Sequence, residues 1–548
     1  MRQLREDVRW FFNQKIYVVA VILTAVCSYG FGVVNPGLGI DDVATELYFT
    51  DGLAVVMGRW VLFLINKVFH MAKYTPFLTD FIGVVLLVMA AVLMSVLFRR
   101  IFGEKIPVAG YVAFACVFLS NPIISEVYVY YLHNGIGIGY VLTALALLLF
   151  EEMQKVSPKK KWRFMAGSAV ILTVAVGCYE SFLVLYLLGA VVILFFRAME
   201  RRTILTFKNL WENAKCLLLI VLATILLRQL LIVSLTMIFG LQDLKGLMNE
   251  RKLSEMLVLF RGREGWEQFL MLVKRFWLVY HVNALVYLPV TGYELAVILF
   301  GVTAVVLAVR RKSLWYPILA VVMIVIPFLL TIVEANVTMY RSSQYLPFFT
   351  GVGVLLLFSL ASGVKWRKYL QPVLAVLMVV LVFRHSQQMN RDFYGDYLRY
   401  ENTKEVLTEI AAQVESEYGT DIPLVFTGHY ETPHSLLEDW YVDYSSWQFQ
   451  MIAKVSDLVD VHLKEKYYSP YGYSFIGNAQ YSYIQWAFEA FDGTNREMIR
   501  FLELHGHSFR MITDENVLDE ARSLGESMPT WPQEGSVQMQ DGYLLIHI

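Results

Sequence analysis

The sequence predicts a polytopic α-helical membrane protein with about eleven spans and a small C-terminal α/β domain. Three observations predict this class: 57% of the 548 residues are apolar, only 17% are charged, and long apolar runs recur along the chain. Soluble proteins average about 45–50% apolar and about 25% charged residues. The composition therefore excludes an ordinary soluble enzyme.

The charge balance, the cysteines and the missing nucleotide motifs exclude further classes. The 46 basic and 47 acidic residues nearly cancel, so no general basic field attracts nucleic acid. The four cysteines lie in or beside apolar runs, without the spacing of a zinc site or a disulfide framework. The sequence has no Walker loop or dinucleotide fingerprint, which disfavours a nucleotide-driven pump.

Apolar runs long enough for a membrane helix of about 20 residues mark the predicted crossings. We expect eleven of them, at roughly residues 16–34, 78–98, 106–121, 135–150, 164–179, 181–196, 216–239, 293–309, 314–333, 344–361 and 369–383. Two other segments, 53–72 and 254–289, have a helical apolar period broken by charges, which predicts that they lie in the membrane interface. Two extra crossings there would leave the side of the C-terminus unchanged, whereas one would reverse it.

Basic residues predict the orientation, because cytoplasmic loops are enriched in Lys and Arg. The N-terminus and the loops on its side carry 23 basic residues, whereas the short loops of the opposite side carry four. The N-terminus is therefore predicted to be cytoplasmic. Eleven crossings then place the C-terminus outside.

The composition changes after about residue 384, which predicts a transmembrane domain over 1–384 and an extracytoplasmic domain over 385–548. The tail has an α/β pattern, with helices near 392–417 and 494–505 and strands near 423–428 and 509–513. Short alternating runs around Asp541-Gly542 predict a hairpin near the end of the chain.

Two neighbouring carboxylates, Asp41 and Asp42, follow the first span after Pro36 and Gly39. Adjacent acids repel, so a useful site would separate their roles. One would be a general base, and the other would orient it or hold a divalent cation. In the alternative interpretation, the pair belongs to a solvated loop in which one acid caps a helix.

The second outer loop concentrates aromatic and acidic side chains, with Glu126, Tyr128, Tyr130 and Tyr131 close together. Aromatic faces beside carboxylates suit sugar rings, whose C–H faces stack while their hydroxyls form hydrogen bonds. The same residues equally suit the aromatic belt that anchors membrane proteins.

Charged residues in or beside the spans indicate a second kind of site. Arg228 lies in the middle of a span, where a charge costs at least about 2.5–3.5 kcal/mol unless it has a partner or water. We expect it to face the protein interior, where it either holds a phosphate or pairs with a buried acid. Glu180 lies at the outer junction of the fifth and sixth spans, and Arg341 lies at an outer helix start as another candidate phosphate ligand.

Several short motifs resemble, in order, those of the bacterial glucosyltransferase II family, membrane enzymes that glucosylate O-antigen in serotype conversion. They are Asp41-Asp42, Gly58-Arg59-Trp60, Asn121-Pro122 with Glu126, Tyr179-Glu180-Ser181, Arg341 with Pro347-Phe348, and the tail opening at Asp396-Tyr397-Leu398-Arg399-Tyr400. The resemblance covers most of the chain. Each motif is short, so their order and the topology supply most of its specificity.

The resemblance implies a GT-C glycosyltransferase of the bacterial cytoplasmic (inner) membrane. Its donor would be a polyprenyl-phosphate-linked sugar, expected to be glucose, and its acceptor a cell-surface or lipid-linked glycan. A lipid-linked phosphate is already a good leaving group. The reaction therefore needs one base for the acceptor hydroxyl and cations for the developing charge. A single base with direct attack predicts inversion at the anomeric carbon.

These requirements assign the expected roles. Asp41 and Asp42 form the predicted catalytic centre, with Asp42 favoured as the base and a divalent cation as a further option for the pair. Arginines bind phosphate bidentately, so Arg59 and Arg341 are predicted to hold the donor phosphate, with Arg228 as a third contributor. The sugar and the acceptor are expected to meet Trp60, Glu126, Tyr130, Tyr131 and Glu180.

Two alternatives share the membrane topology. A lipid-linked oligosaccharide flippase or polysaccharide exporter would explain the many spans and the intramembrane Arg228, but the sequence has no obvious inverted halves. A polysaccharide polymerase or ligase would use the same kind of lipid-linked substrate.

Overall fold

The computed structural model describes most of the chain, with gaps in the outer loops and in the tail. The described residues are 2–35, 52–70, 75, 77–128, 134–201, 205–243, 262–263, 265–267, 269–270, 293–330, 342–428, 454 and 495–548, with the backbone alone for 126–128, 134, 201, 399 and 497. The predicted interfacial segment 254–289 lies mostly outside them.

Helices dominate the described residues before the tail. In chain order they are α1 (Arg2–Asn13), α2 (Lys15–Val34), α3 (Leu53–Val56), α4 (Trp60–Phe69), α5 (Leu78–Phe102), α6 (Val108–Leu119), α7 (Ile123–Tyr128), α8 (Asn134–Met153), α9 (Pro158–Cys178), α10 (Phe182–Arg201), α11 (Phe207–Phe239), α12 (Tyr293–Arg311), α13 (Trp315–Val325), α14 (Tyr345–Ser362) and α15 (Arg367–Tyr418).

Nine helices of the described chain are long and apolar enough to cross a membrane, which indicates a membrane protein. They correspond to nine of the eleven predicted spans. The other two, at 106–121 and 314–333, contain the shorter apolar helices α6, of 12 residues, and α13, of 11 residues. Each ends close to a proline, Pro122 or Pro327, which cannot donate the next helical hydrogen bond.

Burial separates central from peripheral helices. In α10 and α14, 78% of the most apolar 18-residue stretch is buried, compared with 17% in α11. The two central helices pack against each other, α10 also packs against α5 and α8, and α14 packs against α6 and α12. Helix α11 packs on the outside of α9. Exposed aliphatic side chains such as Leu222, Leu226 and Leu230 cover the free face of α11, as expected for a surface in contact with lipid.

The last predicted span and the first predicted helix of the tail form one continuous helix. The sequence predicted two elements, at 369–383 and near 392–417, whereas α15 runs for 52 residues from Arg367 to Tyr418. The polar stretch at 384–391 contains neither glycine nor proline, so nothing in it ends the helix. The predicted domain boundary at 384/385 therefore falls inside a helix.

The described part of the tail contains a small sheet. Its elements are β1 (Leu424–Thr427), α16 (Arg496–Leu504), α17 (Glu515–Gly525), β2 (Val537–Gln540) and β3 (Tyr543–His547). The strand order is β1-β3-β2, with β1 parallel to β3 and β2 antiparallel to it. The predicted hairpin is present and turns at Asp541-Gly542, where Gly542 has φ +93°. The predicted strand at 509–513 is wrong, because only Met511 forms an isolated bridge, to Leu424.

Apolar residues of the tail form cores separate from that of the helical bundle. Val406, Leu407 and Ile410 of α15 pack with Phe426 of β1 and Phe501 of α16. The core of the bundle includes residues of α15 only as far as Phe393. One helix therefore contributes to both cores.

Candidate functional site

The Gly58-Arg59-Trp60 motif forms the turn between α3 and α4. The Arg59 N–H donates to the Ala54 carbonyl at 2.7 Å, and Gly58 adopts φ +88°, a conformation that strongly favours glycine. The turn directs the Arg59 side chain toward α9, where its Cζ lies 4.4 Å from the ring centroid of Tyr179. A cation–π contact thus joins this motif to the Tyr179-Glu180-Ser181 motif.

The Tyr179-Glu180-Ser181 motif is the short link between α9 and α10. Tyr179 has extended backbone after the last turn of α9, and Leu183 at the start of α10 donates to the Glu180 carbonyl at 3.1 Å. The three side chains therefore lie at the same end of the bundle as the Gly58 turn.

Arg228 of α11 reaches this end of the bundle and pairs with Glu180. Its Nη2 donates to Glu180 Oε1 at 2.7 Å, with the two side chains 21% and 34% exposed. Of the two roles expected for Arg228, the described structure therefore contains the pairing with an acid. The acid is half-buried, not fully buried. In the described part of the chain, Arg228 Nε is buried without a hydrogen-bond partner.

The ion pair lies directly against Gly58. A Cβ atom added at Gly58 would lie 1.7 Å from Arg228 Nη2 and 3.1 Å from Glu180 Oε1. No side chain larger than hydrogen fits there without displacing the guanidinium. The sequence motif was recognised, but its contact with Arg228, 170 positions along the chain, has no local signal.

The segment that follows Arg341 packs onto the same junction. Ser342 Oγ lies 3.2 Å from the Tyr179 hydroxyl, and Ser181 donates to the side-chain carbonyl of Gln344. The Gln344 backbone carbonyl accepts a 2.8 Å hydrogen bond from Tyr140 of α8. We define the polar junction as Gly58, Arg59, Tyr179, Glu180, Ser181, Arg228, Ser342 and Gln344.

Trp60 packs beneath the polar junction. Its ring lies against Gly177 of α9, where an added Cβ would come within 2.5 Å of it, and the residue is only 7% exposed. Its Nε1 is buried without a hydrogen-bond partner among the described residues. The indole N–H is therefore the polar group that Trp60 has available.

Comparison with known families bears directly on these motifs. The family model described as glucosyl transferase GtrII matches residues 30–358. The chain belongs to the glucosyl transferase GtrII family. The match includes every residue of the polar junction. No curated protein and no solved structure gives a significant match.

Membership of the GtrII family makes the protein a glycosyltransferase, with a sugar donor and a glycan acceptor. The resemblance seen in the sequence is thus confirmed at the level of the family. The tail beyond residue 358 lies outside the match.

Several predicted site residues lie outside the described residues. These are Asp41, Asp42, Tyr130, Tyr131 and Arg341, and Glu126 is described by its backbone alone, in α7. Within the described ranges, no group of three His, Cys, Asp or Glu side chains could hold a metal ion. A divalent cation at Asp41 and Asp42 stays a prediction.

A second polar cluster, which the sequence did not predict, joins the Asn121-Pro122 motif to α15. Ser125 Oγ lies 2.8 Å from Asp392 Oδ2, and Gln388 Nε2 donates to Asp392 Oδ1 at 2.7 Å. Ser120 Oγ lies 3.4 Å from His385 Nδ1. A buried acid on a polar stretch after a span is a weak sequence signal, and Ser125 and Ser120 lie more than 260 positions from Asp392 and His385.

Proposed function

We propose that this GtrII protein transfers glucose from a polyprenyl-phosphate donor to a cell-surface or lipid-linked glycan at the outer face of the bacterial cytoplasmic membrane. The reaction inverts the anomeric carbon. Family membership supports the transfer of a sugar, and the apolar helices support a lipid-linked donor. The polar junction is the observation that carries the proposal.

The junction has positive charge from Arg59 and Arg228, and Arg228 Nε is a hydrogen-bond donor for a phosphate. Arg59, on the α3–α4 turn, and Arg228, on α11, both place a guanidinium at the junction. Glu180 accepts a hydrogen bond from Nη2 of Arg228, whereas the buried Nε of Arg228 has no partner among the described residues. A guanidinium has five N–H donors, so Arg228 can keep Glu180 and bind a phosphate oxygen as well. Arg341 would add a third cation, because its neighbour Ser342 lies against Tyr179.

The remaining roles belong to the outer loops. Asp42 is proposed as the general base for the acceptor hydroxyl, with Asp41 orienting the acceptor or holding a divalent cation. Glu126, Tyr130, Tyr131, Glu180 and Trp60 are proposed to contact the sugar or the acceptor. Because Trp60 is buried, its contribution would come from the indole N–H.

Donor binding can be tested by glucose transfer in membrane vesicles supplied with polyprenyl-phosphate-glucose. Arg59→Lys and Arg228→Lys should each weaken donor use about 10–100-fold, since a hydrogen bond to a charged group contributes about 1.5–3 kcal/mol. Arg163→Lys is the matched control, because Arg163 is exposed near the opposite end of α9. Donor saturation unchanged in both Arg59→Ala and Arg228→Ala would rule out this assignment.

The same assay tests the base. Asp42→Asn should lower transfer about 10²–10⁴-fold without weakening donor binding, and Asp41→Asn should have its own, different effect. Asp51→Asn, in the same outer segment, is the control for a general change in charge. If Asp41→Asn and Asp42→Asn both keep more than about a tenth of the activity, the base lies elsewhere, with Glu126 and Glu180 as the next candidates. Intact donor recovered on the opposite side of the vesicle would indicate a flippase.

A further inference from the structure

A groove lies between α2 and α15, at the end of α2 away from the N-terminus. Its volume is about 430 Å³, and its lining includes Cys27, Phe31, Phe383, Asn390, Arg391 and Tyr394. Asn390 closes its floor, because Nδ2 donates to the carbonyls of Cys27 at 2.6 Å and Ser386 at 2.7 Å. The groove is open to the side among the described residues.

The groove lies at the boundary between the apolar and polar parts of α15. Val373, Val376 and Val380 are more than half exposed on the N-terminal side of it, as expected for a surface in contact with lipid tails. On the other side, Phe31 and Tyr394 form an edge-to-face contact with ring centroids 5.8 Å apart. Aromatic side chains of this kind mark the level of the lipid headgroups.

Two arginines give the polar end of the groove its charge. Arg384 and Arg391 are exposed, and seven positions of an α-helix bring them onto the same face. The Arg384 guanidinium donates to Gln387 Oε1 at 3.0 Å, which directs it toward the groove. Neither arginine forms a salt bridge with a carboxylate of the described residues, and the neighbouring Asp392 accepts hydrogen bonds from Ser125 and Gln388.

We propose that this groove binds an anionic phospholipid of the surrounding membrane. One acyl chain fills the apolar part, and Arg391 and Arg384 bind the headgroup phosphate. The volume falls within the range of about 300–1,000 Å³ of small-molecule sites, which suits part of one acyl chain. Guanidinium groups match phosphate oxygens in charge and geometry.

This site is separate from the polar junction and goes beyond the proposed function. The groove is built by α2 and α15, whereas Arg59, Glu180 and Arg228 lie on the α3–α4 turn, the α9–α10 link and α11. Loss of the proposed donor site would therefore leave the groove intact, and its test does not depend on transfer.

Cys27 provides a reporter in the full-length protein. In a Cys216→Ser background, Cys27 is the remaining exposed cysteine, because Cys116 and Cys178 are buried. Dioleoylphosphatidylglycerol added to protein in detergent should slow alkylation of Cys27 severalfold more than dioleoylphosphatidylcholine does. Arg384→Gln and Arg391→Gln should each raise the concentration of anionic lipid needed for protection about fivefold, as expected for one basic residue at an anionic surface.

The matched control is Arg367→Gln with Lys368→Gln, an exposed basic pair at the other end of the apolar part of α15, which should leave protection unchanged. Equal protection by the two phospholipids would overturn the proposal, as would protection that survives in the Arg384→Gln/Arg391→Gln double variant. Protection by inorganic phosphate alone would also overturn it. Protection by polyprenyl phosphate at lower concentration than phosphatidylglycerol would assign the groove to the sugar donor instead.

Discussion

Gly58 combines two structural requirements at one residue. Its φ of +88° disfavours any other residue, and its Cα lies under the guanidinium of Arg228. Gly52 has the same φ, but an added Cβ there would meet only the flexible end of Leu241. Substitutions at the two glycines therefore distinguish the effect of backbone strain, present at both, from the effect of contact with the ion pair, present only at Gly58.

At this scale, we expect Gly58→Ala to lower glucose transfer at least about tenfold, because displacing the guanidinium breaks a charge-assisted hydrogen bond. Gly52→Ala should cost similar backbone strain, about 1–2 kcal/mol, and keep most of the activity. Thermal unfolding and transfer, measured on both variants, check this. Adding Arg228→Ala to Gly58→Ala should remove the steric part of the stability loss, leave the backbone strain shared with Gly52→Ala, and not restore transfer. Equal losses of transfer in Gly58→Ala and Gly52→Ala would contradict the explanation.

At the scale of elements, polar contacts attach α7 to α15. Ser125 and Asp392 are both buried, so removing one partner takes one hydrogen bond from the other at a site that water does not reach. Asp392→Ala should lower the free energy of unfolding by about 1–3 kcal/mol. Ser125→Ala should add less in the Asp392→Ala background than alone. The control is Ser386→Ala, which removes a separate hydroxyl pair with Ser28 and should be additive with Asp392→Ala. Strict additivity of Ser125→Ala and Asp392→Ala would contradict a coupled contact.

The sheet of the tail should respond to pH through its last strand. Partial burial lowers the pKa of His547 below its ordinary value of 6.5. The unfolded chain therefore binds a proton at His547 more tightly than the folded sheet does. The contribution of neutral His547 to the stability of the sheet is fully present above about pH 6.5, and it decreases as the pH falls toward the lower folded-state pKa. Hydrogen exchange of β1 and β3 at pH 7.5 and 5.5, corrected for intrinsic rates, checks this. The decrease in protection should be smaller in His547→Gln, and an equal decrease would exclude His547 as the cause.

At the scale of the whole molecule, the tail is predicted to lie outside the cytoplasm. The basis is the excess of basic residues on the N-terminal side and the odd number of spans. Alkaline phosphatase fused after Thr420 or Ile548 should be active, and fused after Lys312 it should be inactive. Inactive fusions at the first two positions, with an active cytoplasmic reporter there, would contradict the topology.

The sequence by itself determined the features that depend on local composition. Apolar runs predicted the long helices, because an apolar segment in a membrane has no water for its backbone N–H and C=O groups. A helix pairs those groups within the segment itself. Asp541-Gly542 predicted the hairpin, because a glycine at positive φ fits a tight turn. The order of short motifs indicated the family, which the match over residues 30–358 confirms.

Only the tertiary structure decided which distant residues meet. Arg228 and Glu180 are 48 positions apart, and Ser125 and Asp392 are 267 positions apart. Such pairs depend on which helices pack together, and hydropathy does not encode that choice. The stretch 384–391 has no helix breaker and so permits the continuity of α15, and the packing of its two ends in separate cores shows what the continuous helix joins. Local pattern therefore determined the elements, and packing between helices determined the site.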